Sequence, residues 1–241
     1  MAKTLAIICA RGGSKSIPKK NIKLLLGKPL IYYTLKIALK CKKEKIIDEI
    51  VLSTDSEEIA AISKKYGISA DFCRPDHLAT DECGKIDVIR HALINSERIH
   101  NKEFGNIIDL DVTSPIRTKE DIKNCLNLFR KKKPDVVFSV VNSRKNPYFN
   151  MVEIHQDGFA ALCKKPKKLL LRRQDAPKVY DMNTSIYIYS RKFLLNPKNV
   201  SLFSSTKTLA YQMDGISAVD IDNPMDFKYI EFLIKEGMVE I

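Results

Sequence analysis

Apolar runs and helical stripes alternate along this chain, and their order predicts its architecture. Leu5 to Ala10 is an unbroken apolar run, the length of a strand buried on both faces. After a polar stretch, Leu30, Ile31, Thr34, Leu35, Ala38 and Leu39 recur at helical spacing, with Pro29 suited to the first turn. Asp48 to Thr54 predicts a second strand. Asp55-x-x-Glu58 predicts a helix start, with Ile59, Ile62 and Tyr66 on one face and Gly67 just past the end. Asp71 to Asp81 reads as a short strand and a polar loop, and Ile86, Ile89 and Leu93 mark the inner face of the next helix. Asn106 to Asp111 predicts another buried strand, Ile122, Cys125, Leu126 and Phe129 a helix, and Asp135 to Val141 a further strand.

Strand, loop, helix, strand, helix is the order of an α/β fold with a mostly parallel central sheet and helices on both faces. The alternation lapses between Asn142 and Met182, where extended segments and turns carry Phe149, Met151, Ile154, Phe159 and Leu169 to Leu171, more apolar surface than a solvated excursion needs. A last short strand is expected at Ala218 to Asp222, before a helix capped by Asn223 with Pro224 at its first position. No internal repeat appears, and 241 residues suit a single domain spanning 1–241.

Composition narrows the function classes. A hydrophobic fraction of 44% with 29% charged residues is that of an ordinary soluble globule, but 41 Lys and Arg against 29 Asp and Glu leave a net charge of +12. The cations are mostly single lysines scattered along helices, without a zinc-finger, RRM or KH signature, so no nucleic-acid partner is expected. Six cysteines, at 9, 41, 73, 83, 125 and 163, show neither C-x-x-C nor metal-ligand spacing, which predicts a reduced compartment. The apolar run before Arg11 is too brief for a signal peptide, and no stretch approaches the ~18 residues of a membrane span. A cytoplasmic protein without membrane contact is expected.

The candidate chemistry starts where the first strand ends. Arg11-Gly12-Gly13-Ser14-Lys15-Ser16 is small, flexible and cationic, and Pro18-Lys19-Lys20-Asn21 extends it, placing four cations and an amide within eleven residues. In open parallel sheets ligands bind outside the carboxyl ends of the strands, and a glycine-rich cationic loop there suits a phosphate chain. Neither G-x-G-x-x-G nor G-x-x-x-x-G-K-[ST] aligns. Asp220 and Asp222 alternate, so their carboxylates share one side of an extended segment and repel unless a cation is shared; a helix-capping role is the alternative. Four scattered histidines and the lack of a Ser/His/Asp or Cys/His arrangement argue against a zinc hydrolase or a covalent enzyme.

ARGGSKSIPKKNIKLLLGKPLI resembles the nucleotide-binding signature of the acylneuraminate cytidylyltransferases, the CMP-sialic acid synthetase family. The likeness continues in Arg74-Pro75-x-x-Leu78-Ala79-x-Asp81, in Thr113-Ser114-Pro115-x-Arg117, in Arg172-Arg173-Gln174-x-x-Pro177-x-x-Tyr180 and in Asp220-x-Asp222, nearly the whole chain. It implies a Rossmann-like nucleotidyltransferase fold that joins CTP to an acidic nine-carbon sugar, giving the CMP-sugar and pyrophosphate. Arg11, Gly12, Gly13, Ser14, Lys15, Lys20 and Asn21 would then hold the triphosphate and Arg74 would lie against the cytosine. Asp111, Thr113, Arg172, Arg173, Gln174, Tyr180 and Asn183 would meet the sugar. Asp220 and Asp222 would bind Mg²⁺ and, with Lys15 and Lys20, form the catalytic set. The stretch 142–182 would be a small protruding subdomain that packs against a second subunit and covers the sugar, which implies a homodimer.

The chain departs from the family pattern at four places. Ser16 replaces a glycine, Gly84-Lys85 replaces small hydroxyl residues, Asp111 replaces a glutamine and Thr184-Ser185 replaces Gly-Ala. The last two point to a sugar other than N-acetylneuraminate, such as legionaminate or a related nonulosonate. An eight-carbon acid such as KDO and a non-catalytic nucleotide-binding relative remain the alternatives.

Overall fold

A computed structural model describes residues 2–14 and 16–241. The strands are β1 (Thr4–Cys9), the short β2 (Leu24–Leu25) and β3 (Lys28–Pro29), β4 (Glu49–Ser53), β5 (Asn106–Leu110), β6 (Val136–Asn142), β7 (Val152–Ile154), β8 (Ala160–Leu162), β9 (Tyr180–Ser190) and β10 (Thr208–Gln212). The helices are α1 (Leu30–Lys43), α2 (Glu57–Lys65), α3 (Lys85–His100), α4 (Lys119–Lys132), α5 (Arg191–Leu195) and α6 (Pro224–Lys235). Six strands form the central sheet in the order β10-β6-β9-β5-β1-β4. Every neighbouring pair is parallel except those of β9, which runs antiparallel to both β5 and β6.

The inner strands are apolar on both faces because they alternate between two cores, while the edge strand β10 meets only one of them. Along β1, Ala6 and Ile8 join the cluster under α1, α2, α4 and α6, while Leu5 and Ile7 join the cluster under α3 and α5. That double burial explains why β1 reads as a continuous apolar run. Among the described residues no helix is long and apolar enough to cross a membrane.

The structure departs from the expected elements in three places. At α2 the cap is Ser56, whose hydroxyl accepts the Ile59 N–H; Asp55 turns away to accept the Gly12 N–H at 3.0 Å. The short strand near Cys73 shrinks to a single bridge with Thr54. Ala218 to Asp222 is not a strand. Gly215–Ala218 is a 3₁₀ turn capped by Asp214, and the segment after it is tied down by the Ile221 N–H donating to Thr113 O at 2.9 Å. The edge of the sheet is supplied instead by β10, and the expected cap holds: Asn223 accepts from Met225 and Asp226, with Pro224 opening α6.

The irregular stretch is an arm. Asn142 closes β6 and Tyr180 opens β9, and between them β7 and β8 pair into a separate antiparallel hairpin that turns near Gly158, whose φ of +87° suits glycine. All six residues of β7 and β8 are exposed.

Candidate active site

The loop after β1 leaves the sheet at its carboxyl edge and is pinned from inside. Ile17 is 1% exposed in the core, and the Asn21 side chain donates to Arg11 O at 2.9 Å, drawing the two ends of the loop together. The Gly12 N–H is taken by Asp55, and a Cβ on Gly12 would lie 3.1 Å from the Ser56 Cβ, so the close approach to α2 explains this glycine. Gly13, Ser14, Ser16, Lys20 and Asn21 line a cleft of about 480 Å³. Lys15, expected as a catalytic and triphosphate-binding residue, lies outside the described residues.

Opposite the loop stand Arg74 and the segment from Leu78 to Asp81. Arg11 crosses to that side, where its guanidinium pairs with Asp81 and reaches Ala79 O at 3.4 Å. Arg74 is 4% exposed, and Ser53 fixes it through both Oγ (3.1 Å) and its carbonyl (2.6 Å). A buried guanidinium held this rigidly presents one fixed donor plane to the cleft.

The floor carries a charge cluster that sequence reasoning treated only as two separate departures. Lys85, at the start of α3, places its ammonium 2.8 Å from Asp109 Oδ2 and 2.7 Å from Asp111 Oδ2, and 4.3 Å from the centre of the Tyr187 ring. Asp109 and Asp111 are two residues apart at the end of β5 and therefore share a face. Asp109 is fully buried, and burial pushes its carboxyl up despite the pull of Lys85. Asp111 pays the same burial cost, but Lys85 and two hydrogen bonds from Thr113, at 3.1 Å from N and 3.0 Å from Oγ1, bring it down to about 2. Burial works against the Lys85 charge too, and the two carboxylates outweigh it, holding the ammonium well above the ordinary lysine range. An acid inside the apolar run NIIDLD was the signal for this partner, since a buried carboxylate needs a cation. Arg117 lies behind the floor, buried, with its guanidinium on the carbonyls of Asp111 and Ser185 and on Thr34 Oγ1. It braces the strand ends and does not line the cleft.

The third wall is the segment before α6. Lys20 Nζ donates to Ile221 O at 2.6 Å and lies 3.3 Å from Asp222 Oδ1. Ile221 is fully buried between the two acids; Asp222 lines the cleft, whereas Asp220 lies deeper and is not part of its lining. Asp220 accepts from Thr184 Oγ1 at 2.8 Å through Oδ2, while its Oδ1 is buried and has no hydrogen-bond partner among the described residues. Burial pushes its carboxyl up, against the pull of the Thr184 hydroxyl. No three histidine, cysteine or carboxylate side chains converge among the described residues. A hard cation held here would draw on one or two carboxylates plus phosphate oxygens, a donor set that suits Mg²⁺, and the unpartnered Oδ1 fits such a role.

The remaining expected sugar residues are spread differently. Asn183 is buried, its amide donating to Ser217 O at 3.0 Å, and Ser185 is fully buried. Arg172, Arg173, Gln174 and Tyr180 are exposed on the arm, with Arg172 paired to Asp175 and Arg173 donating to Ser143 O; none of the four lines the cleft.

Residues 5–240 match the profile of a family described as Cytidylyltransferase. The chain is 43% identical to "Post-translational flagellin modification protein B" of Campylobacter coli, over 98% of this chain and 97% of that protein. It is 42% identical to CMP-N,N'-diacetyllegionaminic acid synthase of Campylobacter jejuni, over 97% and 96%. Among solved structures, CMP:2-keto-3-deoxy-manno-octonic acid synthetase complexed with CTP shares the fold at a TM-score of 0.70, covering 98% of this chain and 100% of its own at 18% identity.

Removing the ammonium of Lys85 exposes the cost of the two acids it neutralises. Lys85→Met is expected to lose about 2–3 kcal/mol at pH 8, below the usual cost of breaking a buried pair because cleft water reaches the lysine. The deficit should shrink toward pH 5. A carboxyl whose folded pKa is raised costs stability above its unfolded pKa and returns it as pH falls, and without Lys85 both acids move up. In the unaltered protein Asp111 acts the other way, losing its contribution only as pH falls toward about 2. Urea denaturation across pH measures this, and a deficit independent of pH would contradict the cluster.

Proposed function

Because the chain belongs to the cytidylyltransferase family, we propose that its cleft joins CTP to a nonulosonate of the N,N'-diacetyllegionaminate kind. The anomeric hydroxyl oxygen of the sugar attacks the α-phosphorus, the bond from that phosphorus to the β-phosphate oxygen breaks, and pyrophosphate leaves with the electron pair while the hydroxyl proton is lost to a base or water. Transfer of this type depends on positioning and charge neutralisation more than on covalent help from protein. Arg74, locked on Ser53, supports the base, and Gly13, Ser14 and Lys20 face the triphosphate; Lys15 is assigned to the triphosphate from its place in the sequence of the same loop. Mg²⁺ held by Asp220 and Asp222 would neutralise charge building on the phosphates. Lys20 links the two ends of that arrangement, since it already bridges the loop to Ile221 and Asp222.

The observation that carries the sugar assignment is Asp111. Paired with Lys85 it remains ionised, and a carboxylate accepts hydrogen bonds only. Such a group favours sugar hydroxyl or acetamido N–H donors and disfavours a second anion. The 42% identity to a diacetyllegionaminate enzyme over almost the whole chain supports the same choice. Thr184, bonded to Asp220, and Ser185, fully buried, do not line the cleft, so the other departure adds no contact to this argument.

We also propose that the arm pairs with a second copy. Ile154 and Phe159 are each 75% exposed, Leu169 85% and Leu171 79%, a concentration of bare apolar surface that association would cover. The arms would then bring Arg172 or Arg173 to the sugar carboxylate, whose two oxygens suit a guanidinium fork.

Pyrophosphate release from CTP against a panel of acidic sugars tests the reaction. N,N'-Diacetyllegionaminate should give the highest kcat/KM, and Lys15→Ala should lower turnover by ~10²-fold or more with an unchanged Tm. The highest kcat/KM with N-acetylneuraminate would overturn the sugar assignment; no turnover with any nonulosonate would overturn the reaction. Sedimentation velocity at assay concentration should show a dimer, and a monomer alone would contradict the role given to the arm.

A further inference from the structure

Thr184 has a backbone that its residue type disfavours. Its φ is +52°, in the left-handed region, which a side chain branched at Cβ rarely enters. It sits in a bulge of β9. Phe138 pairs with Tyr187 and Val140 with Met182, so β9 advances five residues where β6 advances two. The bulge is secured on both sides of Thr184: the Asn183 amide donates to Ser217 O at 3.0 Å, and the Ile186 N–H donates to Ser139 Oγ at 2.9 Å.

What this conformation achieves is the direction of one hydroxyl. Thr184 Oγ1 donates to Asp220 Oδ2 at 2.8 Å and lies 3.0 Å from the Ser114 hydroxyl, itself bonded to Asn183 O at 3.0 Å. One carboxylate oxygen of Asp220 is thereby fixed, and the other is left buried without a hydrogen-bond partner among the described residues. A strained residue held by several independent contacts, with its single polar group on a site carboxylate, is the pattern of strain kept for function.

We infer that Thr184 is a positioning residue that sets the Asp220 carboxylate so that Oδ1 is presented to the metal. This rests on the reading that Asp220 holds a divalent cation. Partners that orient a metal-binding carboxylate typically change affinity by about 10-fold or more when removed.

The two properties of Thr184, its backbone strain and its hydroxyl, separate in a small set of variants. Thr184→Ser keeps the hydroxyl, Thr184→Val removes it and keeps the branched Cβ, and Thr184→Gly removes both the hydroxyl and the strain. The readout is the Mn²⁺ dissociation constant in the presence of CTP without sugar, from electron paramagnetic resonance, together with Tm for each variant. Affinity should follow the hydroxyl: Thr184→Val and Thr184→Gly each weaken Mn²⁺ binding by about 10-fold, and Thr184→Ser stays near the parent. Tm should follow the backbone, with Thr184→Gly above Thr184→Val. Parent-like affinity in Thr184→Gly, or a Thr184→Ser that loses affinity with the other two, overturns the inference. Asp220→Asn distinguishes the premise: if it binds Mn²⁺ as the parent does, the metal reading falls and the inference with it. If Asp220→Asn weakens binding while Thr184→Val and Thr184→Gly do not, only the role of Thr184 falls.

Discussion

The neutralisation of Asp109 and Asp111 by Lys85 is the interaction on which this cleft depends. Two carboxylates on one face at the end of a central strand, one of them fully buried, repel each other and pay heavily for lost water. A single ammonium 2.8 and 2.7 Å away makes both tolerable. The cation comes from the first residue of α3 and the acids from β5, so sheet and helix must dock correctly before the floor exists. The cleft that Asp111 faces is lined by Arg11, Lys20, Arg74 and Lys85 as well as by Asp81 and Asp222, so charges of both signs meet there.

The antiparallel β9 supplies the second constraint. Inserted between β5 and β6, it closes the gap between the two parallel parts of the sheet, and its bulge reaches Ser114 in the loop after β5 and Asp220 before α6. The walls of the cleft are also joined by links outside β9: Asp111 is hydrogen-bonded to Thr113, the Thr113 carbonyl holds Ile221, and Lys20 from the first loop closes on Ile221 and Asp222.

Much of this was legible in the residues. The apolar run of β1, the helical stripes of α1, α3 and α4, and the Asn223-Pro224 start of α6 are local signals, and local signals survive folding. The strands β9 and β10 were not read, because β9 begins among the polar residues of the arm and bulges at Asn183 to Ser185, breaking its period. Ala218 to Asp222 has strand-like alternation, yet Gly215–Ala218 winds into a 3₁₀ turn and the Ile221 N–H is taken by Thr113 O instead of a strand partner. At the site, Arg11, Ser14, Lys20, Arg74, Asp111 and Asp222 were named from sequence and line one cleft. The Lys85 partnership, the Asp55 contact with Gly12 and the Thr184 bond to Asp220 span 24, 43 and 36 positions, distances over which sequence spacing carries no contact information.

The central claim is that CTP lies on the loop from Arg11 to Asn21 with the acidic sugar beside Asp111. A crystal structure of the protein with a CTP analogue that resists attack at the α-phosphate, together with N,N'-diacetyllegionaminate, tests it most directly. The account predicts the triphosphate against Gly13, Ser14 and Lys20, the base at Arg74, and a sugar hydroxyl or acetamido N–H within hydrogen-bond distance of Asp111. A sugar bound away from Asp111, or a triphosphate outside this cleft, would contradict it.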